Sequence, residues 1–110
     1  MIEQKIIVKT LPIFEVWLKK QTDEVQEKVI DYINRLKHGN TSNLKSVKKG
    51  IVEDKIYYGK GIRIYLIEKN EVYYIVLWGG ADKKRQQADI EKAVKIKQMM
   101  EANENEKNKQ

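Results

Sequence analysis

The chain has no cysteine, one proline and one histidine in 110 residues. Without thiols it can form no disulfide, offer no thiolate nucleophile and build no cysteine-ligated zinc site. That absence fits a reducing, cytoplasmic setting. The N-terminal MIEQKIIVKT carries Glu3 and lacks the apolar run of a signal peptide, and no later stretch is apolar enough to span a bilayer, so no membrane partner is expected. His38 stands at the end of a helical pattern, just before Gly39, where an imidazole caps a helix C-terminus rather than doing catalysis. The acids are scattered over helix starts and loops without ligand spacing, so neither a metal site nor a cofactor is expected.

What the chain does have is positive charge. Lysine and arginine number 22 against 16 acids, giving a formal net charge of +6 and a sequence pI near 9.4. In so short a chain this favours an acidic or polyanionic partner such as RNA, DNA or an acidic protein. A hydrophobic fraction of 41% allows one compact core, and the length implies one domain.

In chain order, Ile6, Ile7 and Val8 predict a short strand within residues 3–10. Pro12 can open a helix, and Ile13, Phe14, Trp17 and Leu18 fall at helical spacing over 12–20. Thr22 reads as an N-cap for a second helix over 23–37, with Val25, Val29, Tyr32, Ile33 and Leu36 on one face. The two helices form a hairpin on one face of a sheet. Residues 39–50 read as a polar loop bearing Lys45, Lys48 and Lys49, an electrostatic footprint beside further positive charge. Three strands follow, at 51–58, 62–67 and 72–78, then a helix from about Lys83 to Met100. Its inward residues are Ile90, Ala93, Val94, Ile96 or Lys97, and Met100. The polar tail 101–110 is expected to fray or stay disordered. The fold expected is α+β in the order β-α-α-β-β-β-α, with an antiparallel-dominated sheet over residues 1–100.

Strand alternation assigns the chemistry. Ile62, Ile64 and Leu66 should pack beneath the helix hairpin, which sends Arg63 and Tyr65 to the opposite face. Lys55 on the neighbouring strand shares that face, and Lys83, Lys84 and Arg85 emerge where the last helix begins. A helix N-terminus there also offers N–H groups to an anion. Guanidinium matches phosphate bidentately, and a tyrosine ring can stack a base. The competing structural role is an ion pair of Arg63 with Glu53 or Asp54.

The segments FEVWLKK, INRLKHGN, LKSVKKGIVEDKIYYGKGIRIYLI and GGADKKRQQADIEKA give the chain, over about residues 3–100, a resemblance to the RelE/ParE toxin superfamily. Within it, the chain looks most like the HigB-like addiction module killer proteins. The most specific part is GKGIR followed by GG, Asp82-Lys83, Gln86, Asp89-Ile90 and Ala93. The resemblance implies a RelE-like fold and the toxin of a type II toxin–antitoxin pair. Many such toxins are endoribonucleases cutting mRNA on the ribosome, whereas ParE-like relatives poison DNA gyrase. It further implies an antitoxin, expected to be a helix-turn-helix protein, through which the pair would contact operator DNA. By resemblance Arg63 is the sheet arginine, Glu53 the acid of the E-x-R element, and Lys83 and Gln86 residues opening the last helix. Lys55 stands where the family usually has arginine, which keeps the charge but loses the fork. Ala81 marks a small shift between the glycines and Asp82.

The chemistry expected is metal-independent attack of the RNA 2′-OH on the adjacent phosphorus. Arg63 would stabilise the transition state, with Lys55 and Lys83 as helpers, and Tyr65 would stack a base or pass a proton. Lys45, Lys48, Lys49, Lys84, Arg85 and Gln86 would hold RNA. The general base is left open between Glu53, a lysine and the ribosome.

Overall fold

A computed structural model describes residues 6–108, with side chains described through residue 104. The elements are β1 (Ile7–Thr10), α1 (Pro12–Lys19), α2 (Asp23–Lys37), β2 (Lys45–Lys48), β3 (Ile51–Ile56), β4 (Ile62–Lys69), β5 (Val72–Gly79) and α3 (Lys83–Asn108). The expected helix starts have their physical causes in place. Pro12 opens α1, and the Thr22 hydroxyl accepts the Val25 N–H at 3.2 Å to cap α2.

The strands form one mixed sheet in the order β1-β5-β4-β3-β2, with β1 parallel to β5 and the rest antiparallel. The fold class is therefore α+β, with three helices on five strands. One strand more is present than the pattern predicted. The loop 39–50 contains β2, paired to β3 through a two-residue turn at Lys49 and Gly50, both with positive φ (47° and 82°). Its lysine- and serine-rich sequence hid it, because an edge strand needs few apolar residues.

Two cores lie on the two faces of the sheet. Phe14, Val29, Tyr32 and Leu36 of α1 and α2 pack on Ile56, Ile64, Leu66 and Ile75. Ile90, Ala93 and Val94 of α3 pack on Ile51, Tyr65, Ile67, Val76 and Leu77. Val76 and Leu77 are adjacent yet serve the same core, because the pairing of β4 and β5 shifts between Tyr65 and Leu66. That bulge breaks the simple alternation expected of residues 72–78.

The last helix also continues past Met100 to Asn108, where fraying was expected for 101–110. Glu, Ala and Lys are good helix formers, and the ion pairs Lys97–Glu101 (3.7 Å) and Lys69–Glu104 hold this turn to its own helix and to β4. Residues 109–110 lie outside the described residues, as does the start of the predicted first strand. No helix among the described residues is long and apolar enough to cross a membrane.

Candidate nucleic-acid interface

Lys55, Arg63 and Gly79 are direct partners across β3, β4 and β5, so they share one face near one end of the sheet, as alternation predicted. That face is not open. α3 lies over it, and its cover decides what each predicted site residue can do.

Arg63 is only 6% exposed and Tyr65 is fully buried. Each guanidinium nitrogen of Arg63 has a partner within the protein. Nη1 donates to Glu53 Oε1 at 3.0 Å, Nε to the Gly80 carbonyl at 3.2 Å, and Nη2 to the Ala81 carbonyl at 3.4 Å. The other Glu53 oxygen accepts from Gln86 Nε2 at 2.7 Å. Glu53, Arg63 and Gln86 thus form a closed lock that ties β3 and β4 to the β5–α3 turn and the first turns of α3.

These contacts bear on several expected roles. Arg63 is an internal cation whose charge is spent on Glu53, not a guanidinium presented to phosphate. Both Glu53 oxygens already accept hydrogen bonds, so it is not placed as a general base. Gln86 is half-buried, with its amide nitrogen donating to Glu53. Tyr65 cannot stack a base from beneath α3. Burial, with Glu53 and Asp89 nearby, pushes its hydroxyl up to about 12, and that hydroxyl has no hydrogen-bond partner among the described residues.

The lysines divide by position. Lys48 forms an ion pair with Glu91, and the Lys49 carbonyl accepts from Lys97 Nζ at 2.8 Å, so this end of β2 clamps α3. Lys48 lies opposite Ile51, four residues from Lys55 along β3, or about 13 Å at ordinary strand rise. The expected footprint of Lys48 and Lys49 is therefore remote from the Lys55 end. Lys45 is exposed and lies opposite Glu53, nearer to it.

Of the remaining cations, Lys55 lies near the turn that leads into α3. The Lys55 side chain reaches Gly61, where an added Cβ would stand 3.1 Å from its Cε and 3.8 Å from the Ala81 Cβ. The turn that holds Ala81 leads directly into Lys83, Lys84 and Arg85, all exposed at the start of α3. None of these four cations has an ion pair among the described residues. Lys55 Nζ sits 5.5 Å from the centroid of the Tyr57 ring, which is 84% exposed. The helix terminus itself is partly satisfied, because Asp82 Oδ1 accepts the Lys84 N–H at 2.9 Å.

Sequence reasoning missed Tyr57, although its i,i+2 relation to Lys55 on a strand was a legible signal. It also missed the pairing of Tyr32 with Asp54, described below, for which residues 22 apart give none. No group of three or more histidines or acids that could hold a metal ion occurs among the described residues.

No protein-family model matches the chain. An uncharacterized protein of Haemophilus influenzae is 42% identical to it over 89 residues, spanning 80% of this chain and 89% of that protein. A likeness of this depth and extent places the chain in the same family as that Haemophilus influenzae protein.

Proposed function

We propose that this protein is the toxin half of a type II toxin–antitoxin pair with a RelE-like fold, and that it acts in the cytoplasm on translated mRNA as a metal-independent endoribonuclease. The carrying observation is a cationic rim: Lys55 lies beside the exposed Tyr57 ring and near the turn at Ala81 that opens α3 with Lys83, Lys84 and Arg85, and none of the four has an ion pair among the described residues. Four cations at one end of a rigid sheet can follow a sugar–phosphate chain, and Tyr57 can stack a base. The resemblance to HigB-like toxins supports the same reading. Glu53, Arg63 and Gln86 then serve as the frame beneath the rim.

In this mechanism the 2′ oxygen forms a bond to phosphorus while the bond to the 5′ oxygen of the next nucleotide breaks. Lys55 and Lys83 stabilise the charge developing on the phosphorane, and Lys84 and Arg85 hold flanking phosphates. With Glu53 in the buried lock and the rim cations on phosphate, the group that takes the 2′-OH proton and the donor that protonates the departing 5′ oxygen are left to the ribosome. The antitoxin, a helix-turn-helix protein on this reading, would cover the rim and carry the pair to its operator DNA.

One observation favours a second reading. With Arg63 committed internally, the rim lacks a free sheet arginine, as a gyrase-binding toxin without chemistry of its own could. Induction in growing cells followed by primer-extension mapping separates the two. The nuclease reading expects growth arrest with new discrete mRNA ends, both lost in Lys55→Ala/Lys83→Ala. Arrest with intact transcripts and cleaved DNA would replace it with the gyrase reading.

A further inference from the structure

A cleft of about 510 Å³ opens between α2 and the outer edge of β3, away from the rim's α3 side. β2 pairs only with Ile51, Val52 and Glu53, so along the later part of β3 the edge turned away from β4 has no strand among the described residues. Asp54 forms the floor, 7% exposed. Its Oδ2 accepts from the Tyr32 hydroxyl at 2.9 Å and its Oδ1 from the Lys55 N–H at 2.7 Å. Burial, with this carboxylate beside it, raises the Tyr32 hydroxyl far above the ordinary phenol range, which keeps it a donor and leaves Asp54 the acceptor. Arg35 and Lys28, two turns apart on α2, line the wall, and neither has an ion pair among the described residues. Asn40 and Asn43 close the far side, and Tyr57 stands at the mouth.

These groups sort by what they can recognise. A cation without a partner suits phosphate, an exposed ring suits a base face, and a carboxylate with amides suits a base edge. Each Asp54 oxygen has a lone pair left after its present hydrogen bond. The cleft is large enough for one nucleotide. An extended peptide would need the backbone edge of β3, but Asp54 already takes the Lys55 N–H that such a strand would pair with.

We propose that this cleft seats one nucleotide of single-stranded RNA, with its phosphate on Arg35, its base against Tyr57 and the amino group of that base on Asp54. The inference rests on the RNA reading above and extends it from Lys55 and Tyr57, which the rim and the cleft share, to Arg35, Asn40, Asn43 and Asp54. Asp54 only accepts, and adenine, guanine and cytosine can offer it an exocyclic amino group where uracil offers only its ring N3–H, so the amino-bearing bases should be preferred over uracil.

The test is amide NMR of the full chain titrated with short single-stranded RNAs, with nucleoside monophosphates and with inorganic phosphate. Shifts at both the rim and the cleft residues Arg35, Asn40 and Asn43 are expected with RNA. Cytidine monophosphate should perturb the cleft at lower concentration than uridine monophosphate or phosphate. Arg35→Ala and Tyr57→Ala should each weaken the cleft response roughly tenfold, with Tyr57→Phe retaining it, a readout that mere folding would not separate. Shifts at the rim alone overturn the cleft and leave the RNA reading standing. Shifts at neither overturn both. Equal response to inorganic phosphate, or tighter seating of an extended peptide along β3, overturns the nucleotide assignment.

Discussion

Arg63 carries more of this fold than its single charge implies. It and Glu53 are both buried, and together with Gln86 they join two strands to the start of α3. Removing one partner of a buried pair leaves an uncompensated charge, at a cost of about 3–5 kcal/mol, whereas replacing both with apolar residues of similar size is far less harmful. Arg63→Ala should therefore lower unfolding stability in urea by about that amount, and Glu53→Leu/Arg63→Met should recover most of it. A loss below about 1 kcal/mol in Arg63→Ala would mean that the lock does not hold the turn. On the toxin reading proposed above, loss of growth arrest in Arg63→Ala alone would thus say little about chemistry. Alternation told correctly which face Arg63 and Tyr65 occupy. It could not tell that the face is covered, because cover depends on where a helix some twenty residues later comes to rest.

At the scale of elements, α3 was legible in both its start and its buried stripe, since Ile90, Ala93 and Val94 repeat at helical spacing and all pack on the sheet. What its docking does to charged neighbours was not. Asp89 lies so close to the sheet that a Cβ added at Gly79 would stand 2.5 Å from its carboxylate. Desolvation raises its pKa above the usual aspartate value of 3.8, against the opposing pull of Lys92, Arg85 and Arg63. The folded state therefore binds this proton more readily than the unfolded chain. The stabilisation from protonating Asp89 is complete below its unfolded value and is lost as pH rises through its folded value. Asp89→Asn should raise the melting temperature at pH 7, with the gain shrinking as pH falls towards about 4. A lower melting temperature for Asp89→Asn at pH 7 would show that its attraction to the three cations outweighs burial. β2 and the bulge at Val76 escaped the sequence for related reasons. A polar edge strand and a one-residue shift in pairing leave no periodic trace.

The molecule as a whole is a three-layer sandwich, helix hairpin, sheet and single helix, whose net charge of +6 is not spread evenly in function. Lys48, Lys69 and Lys97 are spent on ion pairs that fasten α3 or its C-terminal turns, while Lys55 and the cations opening α3 have no ion pair among the described residues. The rim was readable because its residues fall at strand and helix ends that periodicity locates. The α2–β3 cleft was not, since it draws on a helix, a loop and a strand edge that only the folded chain brings together. The most direct test of the rim is the salt dependence of single-stranded RNA binding by the wild type and by Lys83→Ala/Lys84→Ala/Arg85→Ala. Three phosphate contacts on a single strand contribute about 2 to the slope of log K against log salt, so the triple variant should bind more weakly at low salt with a slope flatter by about that amount. An unchanged slope and affinity in a folded triple variant would contradict the assignment of this rim to RNA.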